Sequence, residues 1–487
     1  MKYVIGCDLG TSAIKLTLAN EKGKVVKSLD EIYPLFFPKP GYSEQDPNDW
    51  VKALKTGLKE ITKDLDGNIT SLAIDGQMHG LVCLDEKYQV IRNVILWNDS
   101  RSAKECEYLN EEITKEFLLK ETGNIAYSGF TLPKILWMKE NEKEYFSKIR
   151  HIMLPKDYLN FVLTGKIFTD PSDACGTLMF DVKNKCWSKK MIEISSLDES
   201  CFPKVINSGE LIGPIKEEIL KECGFENVVN VYQGGGDNAA GAIANGILKD
   251  SQCNISLGTS GTIFIDSKNY TYDKNGAIHT FYGCNDEYCL LACMLSAASC
   301  LKWLNDDIFK TSDYMKEQED ITSLDLGNND VFFLPYMMGE RSPINNPNAK
   351  GVFLGLSLNT TRKKLTQAVM EGIAFALKDS FVAIEKMGIK ITESNITGGG
   401  SKSPLWMNIL SSVLNIPLHV NQNNYGPSYG MCLLCLVSDG MFSSLEEAKK
   451  DVIKISSTTY PDSELVKRYQ EKYEYFKKIY PTIKDLF

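Results

Sequence analysis

The tetrapeptide Leu-Gly-Thr-Ser stands twice in this chain, at residues 9–12 and 257–260, about half of its 487 residues apart. Apolar runs, Tyr3–Ile5 and Ile14–Ala19, flank the first copy; the second follows Cys253–Ser256 and leads into Thr262–Ile265. This pattern predicts strand, tight turn, strand. Two such units predict a duplicated fold whose turns face each other. Gly10 leaves room for a positive φ or for a ligand close to the backbone. Thr11 and Ser12 add hydroxyls beside free N–H groups, a cradle suited to phosphate oxygens. The copies differ at one position of consequence: Asp8 precedes the first turn where Ser256 precedes the second. A carboxylate next to a phosphate calls for a cation between them, which marks Asp8 for magnesium.

A chain of this length exceeds what one core organises, so two large domains are expected, 1–248 and 249–487. Apolar residues at 43% and charged residues at 24% are ordinary for a globular protein. No apolar run is long enough to span a bilayer. A net charge of −9 speaks against general nucleic-acid binding. The N-terminus enters a strand without a signal-peptide layout, so a cytoplasmic setting is expected. There the 14 cysteines are expected to stay reduced, and the pair in Cys432-Leu433-Leu434-Cys435 to be buried thiols.

Asp46 or Asn48 is placed to cap a helix running to about Lys63. A strand from Thr70 to Asp75 delivers Gly76-Gln77-Met78-His79-Gly80. Another, over Ile95 and Leu96, ends in Trp97-Asn98-Asp99-Ser100-Arg101. Helices are predicted over 103–121, 133–142, from 154 to Gly165, and over 239–247, with 169–173 a loop. In the second half a helix is predicted over 297–304 and a loop over 335–343. A long helix follows over 361–387, where Leu365, Val369, Ile373, Leu377 and Phe381 step by four, and Gly388 stops it. A strand over 391–397 delivers Gly398-Gly399-Gly400-Ser401. Ser403 then caps a helix with Pro404 in first position, and 465–487 reads as an amphipathic terminal helix. The alternation predicts an α/β fold of mixed sheets with helices packed on them.

Gly234-Gly235-Gly236-Asp237-Asn238 carries the strongest chemistry. Three glycines let backbone and ligand approach closely, and Asp237 follows at a helix N-terminus. Taken alone it is either a helix cap or a catalyst. With Asp8 at a strand end, the pair fits phosphoryl transfer, one acid near a metal and one taking the proton of an attacking hydroxyl. The triglycine at 398–400 suits a flat adenine or ribose laid on backbone. No G-x-G-x-x-G dinucleotide fingerprint and no P-loop sequence is present. Met78-His79 sits in a glycine-bounded loop beside Gln77, which favours a polar ligand such as a sugar, although a lone histidine is more often structural. Trp97 offers a ring to stack on, and Asp99 a group for sugar hydroxyls or an ion-pair partner for Arg101.

Together these residues resemble the FGGY carbohydrate kinases of the actin–hexokinase superfamily, from Tyr3 to about Gly440. The likeness rests on Asp8–Ser12, Trp97–Arg101, Gly234–Asn238, Ser256–Thr262, Gly339-Glu340-Arg341-Ser342-Pro343 and Gly398–Ser401. Within the family, Gln77–Gly80, Leu154-Pro155-Lys156-Asp157-Tyr158 and Ser172–Thr177 look like the kinases of D-xylulose. The resemblance implies two RNase-H-like domains of the actin/hexokinase-type ATPase with a central cleft. ATP would lie mainly on the second domain and the small-molecule sugar on the first. It implies Asp237 as the base acting on the 5-hydroxyl of D-xylulose, and magnesium held through water at Asp8 and Asp237. Met78, His79, Asn238, Trp97 and Asp99 would meet the sugar. Thr11, Ser12, Gly258, Thr259 and Ser260 would hold phosphates, and Gly399, Gly400 and Ser401 the nucleoside. A homodimer is compatible with this. Two departures, Ala298 for a glycine and Ser428–Cys432 for an alanine-rich run, are expected toward the nucleotide side. Alternatives are a kinase of another polyol or sugar acid such as gluconate, a non-catalytic actin-like ATPase and, last, an oxidoreductase.

Overall fold

The computed structural model describes residues 1–422 and 425–487. The first half runs β1 (Lys2–Leu9), β2 (Ala13–Asn20), β3 (Val25–Ile32), α1 (Pro47–Ile61), β4 (Asn68–Gly76), α2 (Pro155–Thr164), β5 (Leu211–Pro214), β6 (Asn230–Tyr232) and α3 (Asp237–Ala244). Its sheet has the order β5-β6-β4-β1-β2-β3. β1, β2 and β3 pair antiparallel, while β4 lies parallel to both β1 and β6.

The second half runs β7 (Cys253–Leu257), β8 (Gly261–Ser267), β9 (His279–Tyr282), β10 (Tyr288–Met294), α4 (Ala298–Trp303), α5 (Arg362–Lys386), β11 (Ser394–Thr397), α6 (Pro404–Leu414), β12 (Leu418–Asn421), α7 (Pro427–Ser438), β13 (Ile455–Thr459) and α8 (Ser463–Ile483). Its sheet order is β9-β10-β8-β7-β11-β12-β13. β7 pairs antiparallel with β8 and parallel with β11, as β1 does with β2 and β4. The repeated turn therefore marks a repeated topology.

Local chemistry explains the main elements. The Asp46 side chain accepts from the Asn48 N–H and Pro47 takes the first position of α1. Trp50, Leu54, Leu58 and Ile61 then form one buried stripe on the sheet, each worth about 1.5–3 kcal/mol of burial. Thr361 caps α5, and Gly388, at φ +91°, follows its end. Val369, Ile373, Leu377 and Phe381 are buried, Leu365 less so. Ser403 caps α6 with Pro404 in first position. Tyr469, Tyr473 and Phe476 of α8 pack around Phe375 of α5.

Several boundaries differ from those expected. The helix over 103–121 is two helices, Ala103–Glu111 and Lys115–Thr122, because Thr114 takes φ +81° and caps the second. Within 169–173, Pro171–Ala174 forms a helical turn capped by Asp170. The strand over 391–397 begins at Ser394.

A larger departure concerns α7. It packs on the first sheet: a Cβ on Gly6 of β1 would lie 1.7 Å from the Ser428 carbonyl oxygen. The Thr17 and Ser428 hydroxyls are 2.8 Å apart, and Tyr429 donates to the Gly23 carbonyl. Beyond its end, Asp439 accepts from Thr70, Ser71 and Tyr232. The run Ser428–Cys432 is therefore buried against β1 and β2 and offers adenine no surface. Both thiols of Cys432 and Cys435 are buried, and all 14 cysteines are free. Among the described residues no helix is long and apolar enough to cross a membrane.

Candidate active site

Parallel strands β1, β4 and β6 end on the same edge of the sheet, where a parallel α/β sheet gathers its functional loops. Asp8 of β1 is the register partner of Asp75 of β4. Gly76, next in chain, bridges to Gly236, and its N–H donates to the Gly235 carbonyl at 3.3 Å. Three carboxyl groups, Asp8, Asp75 and Asp237, thus gather from three parts of the chain. Burial pushes Asp8 up to about 7, with the charge of Asp237 adding to it. Burial likewise pushes Asp237 up to about 6, against the pull of its hydrogen bonds from Asn238. Asp75 is raised well above the usual carboxylate range by burial and by the charges of Asp8 and Asp237.

Asp237 is the first residue of α3, and Gly236 holds the cap position, so Asp237 is not the helix cap. Its Oδ1 accepts from the backbone N–H and Nδ2 of Asn238 at 2.7 and 2.8 Å. The preceding glycines serve packing within the protein: a Cβ on Gly235 would lie 2.1 Å from Cys284 Sγ and 2.5 Å from Ser172 Oγ. Ser172 Oγ accepts from the Gly236 N–H at 3.0 Å. Behind it lies a buried brace in which Lys156 Nζ stands 2.5, 2.8 and 3.3 Å from Asp157, Asp170 and Asp173. Gln233 Nε2 donates to Asp157 and ties the brace to the approach to Asp237.

Met78 packs against Gly236, and His79 follows with a left-handed φ of +70°. A bulky residue held there stores strain of order 1–3 kcal/mol. His79 Nδ1 lies 2.7 Å from the Gly176 carbonyl, so Nδ1 carries the proton and Nε2 is an acceptor. Burial and the nearby charges of Lys134 and Arg341 push His79 down to about 3, which keeps it neutral. Its ring stacks on Phe130 at 4.6 Å. Trp97 is 43% exposed, and its Nε1–H donates to Thr11 Oγ1 at 3.0 Å, joining this region to the first turn. Asp99 is not free for a ligand. Its oxygens accept from Ser43 N–H and from the backbone N–H, Nε and Nη2 of Arg101, making it a structural brace.

In the second half, Gly398 takes φ +88° against the Leu257 carbonyl. That contact sets the glycine run against the start of the second turn, at Leu257 and Gly258. Gly399 has open space around it, whereas Gly400 packs on the Leu257 side chain. Ser401 Oγ donates to the Gly398 carbonyl at 2.8 Å. Ala298 N–H, at the start of α4, donates to the Gly258 carbonyl. Neither Gly10 nor Gly258 takes a positive φ.

One residue here escaped the sequence reading, and a second entered it only as part of a motif, with no role assigned. Asp75 reads as an ordinary strand end, and only register sets it beside Asp8. Arg341 lies 5.0 Å over the Tyr127 ring of the first half and bears on His79, with no ion-pair partner among the described residues. No group of three or more His, Cys, Asp or Glu side chains among the described residues is arranged to hold a metal. The donors at Asp8 are carboxylate oxygens, the chemistry of a magnesium ion completed by water and phosphate. A separate cavity of about 730 Å³ beside α5 and α8, lined by Tyr272, Tyr336 and Asp379, holds none of these residues.

Residues 3–244 match the N-terminal domain of the FGGY family of carbohydrate kinases, and residues 253–438 its C-terminal domain. The chain is 36% identical to the xylulose kinase of Staphylococcus xylosus, over 99% of this chain and 100% of that protein. It superposes on the ligand-bound xylulose kinase of Lactobacillus acidophilus with a TM-score of 0.95 at 26% identity, covering 99% of this chain and 98% of that one. It superposes on the gluconate kinase of Lactobacillus acidophilus with a TM-score of 0.94, at the same identity and coverage.

Proposed function

The chain belongs to the FGGY family of carbohydrate kinases, and within it we propose that it transfers the γ-phosphoryl group of ATP to the 5-hydroxyl of D-xylulose. Xylulose rests on the full-length relatives that carry that name and on the Gln77–Gly80 loop. The observation that carries the chemistry is Asp237: a half-buried residue whose carboxyl is held by Asn238 through Oδ1 alone, with a proton affinity near working pH. That combination suits a general base.

In this reading Asp237 Oδ2 takes the proton of the attacking hydroxyl. Asn238 fixes the carboxylate rotamer. His79 accepts a sugar hydroxyl through Nε2, Met78 packs on the carbon skeleton and Trp97 closes one side. Thr11, Ser12, Gly258, Thr259 and Ser260 hold phosphates with hydroxyls and backbone N–H groups. Gly399, with Gly400 and Ser401, receives the nucleoside. Asp8 would hold magnesium through water, with Asp237 near it, and the ion would supply charge neutralisation on the transferred phosphoryl group. A cytoplasmic setting, a possible homodimer and no nucleic-acid partner belong to the same reading.

Gluconate is the second reading. It rests on the equal likeness to a gluconate kinase and on Arg341, a guanidinium suited to a sugar carboxylate. Phosphorylation over a sugar panel with ATP and magnesium separates the two. D-Xylulose is expected to be the preferred acceptor, and preference for gluconate overturns that choice.

A further inference from the structure

Tyr127 belongs to the first half of the chain but is held by the second. Its hydroxyl donates to the Gly276 carbonyl at 2.8 Å, and Arg341 Cζ lies 5.0 Å from its ring centroid. The ring of His279, in β9, meets it at 68° with 5.0 Å between centroids. Just upstream, Asn124 Nδ2 donates to the Thr280 carbonyl at 2.8 Å, and its Oδ1 accepts from the Thr280 N–H at 3.1 Å. The segment is thus docked on the second sheet. Within the first half, the Tyr127 ring meets that of Phe130 at 5.5 Å and 61°, and its carbonyl accepts from the Phe130 N–H at 2.9 Å. Phe130 is fully buried, and His79 stacks on it at 4.6 Å and 27°. An unbroken run of ring contacts therefore leads from Arg341 through Tyr127 and Phe130 to His79. The hydrogen bonds of His79 leave one freedom for that run to settle. Thr131 Oγ1 and Lys134 Nζ donate to its carbonyl and fix its backbone. The Gly176 carbonyl fixes where Nδ1 points. The plane of the ring, and with it the direction of Nε2, is left to the ring packed against it. Such an aromatic pair is worth about 0.5–1.5 kcal/mol beyond burial.

We infer that Tyr127 is a positioning residue for the sugar: seated against the second half, it sets Phe130 and through that ring aims Nε2 of His79. The inference rests on the reading of His79 as a sugar contact given above. Tyr127 acts on the direction of one ring, so its loss is felt in sugar binding and not in the nucleotide site or the chemical step.

The test is a double-mutant cycle on the full chain, read as the affinity for D-xylulose by titration calorimetry, with kcat and the KM for ATP measured alongside. Tyr127→Leu is expected to weaken D-xylulose binding about tenfold, with kcat and the KM for ATP within about twofold of native. Tyr127→Phe keeps the ring and is expected to bind D-xylulose within about twofold of native. His79→Gly suits the left-handed backbone and has no ring to aim. In that background Tyr127→Leu is expected to change the affinity by less than about twofold. Should Tyr127→Leu not fold, Tyr127→Met, longer and more adaptable, takes its place in the cycle. A structural role predicts equal losses in both backgrounds, or a loss shared by kcat and the KM for ATP, and either pattern overturns the inference. So does native-like affinity in Tyr127→Leu, or a loss in Tyr127→Phe as large as in Tyr127→Leu. Native-like affinity in His79→Gly overturns the reading of His79 as a sugar contact and takes this inference with it.

Discussion

The carboxylate of Asp237, at the start of α3, pushes up the proton affinity of Asp8, at the end of β1, second only to burial as a cause. Two acids this close do not ionise independently. In the proposed reading, a cation beside Asp8 would relieve the conflict and leave Asp237 free to act as a base. Environment, and not residue type, separates their roles.

Asp237→Asn keeps the shape and the contact with Asn238 but removes the proton acceptor. Sugar phosphorylation is expected to fall by about 10²–10⁴-fold, with sugar affinity largely kept. Steady-state kinetics and sugar titration calorimetry check this, and near-normal turnover refutes the assigned base.

Burial pushes Asp237 up to about 6. A base works when ionised, so kcat/KM for the sugar should be lost as pH falls through about 6 and level off above about 7. The profile reports the Asp8–Asp237 pair as a unit. A wild-type profile that stays flat down to about pH 5 contradicts the assignment.

Asp8→Ala removes the carboxylate assigned to the metal. We expect a large loss of rate and a shift of the magnesium dependence to higher concentration. The check is a magnesium titration of the residual rate, in which an unshifted midpoint counts against Asp8.

Lys156 is buried among Asp157, Asp170 and Asp173. Lys156→Met strands these carboxylates without a counter-charge, so stability should drop by about 3–5 kcal/mol in urea denaturation. The loss should reach the active site too, because Asp170 and Asp157 hold Ser172 and Gln233. An unchanged urea midpoint is the contrary result.

Sequence and structure agree where the cause is local. Asp46, Thr361 and Ser403 accept from backbone N–H groups two or three residues on, so each announces its helix in the text. The 103–121 helix went wrong because Thr114 adopts a backbone conformation, φ +81°, that its residue type does not advertise. Asp99 carried two readings in the sequence, and the four donors converging on it decide for the brace.

By itself the sequence determined the two strand–turn–strand units, the glycine runs, the main helix caps and Asp8 and Asp237 as the acids of interest. Each follows from sterics and hydrogen bonding within a few residues. Only the tertiary structure decided that Asp75 lies beside Asp8, that α7 crosses onto the first sheet and that Arg341 reaches the first half. Those facts depend on strand register and on packing between distant segments. A carboxylate carries no mark of which neighbour it will meet until the strands have paired.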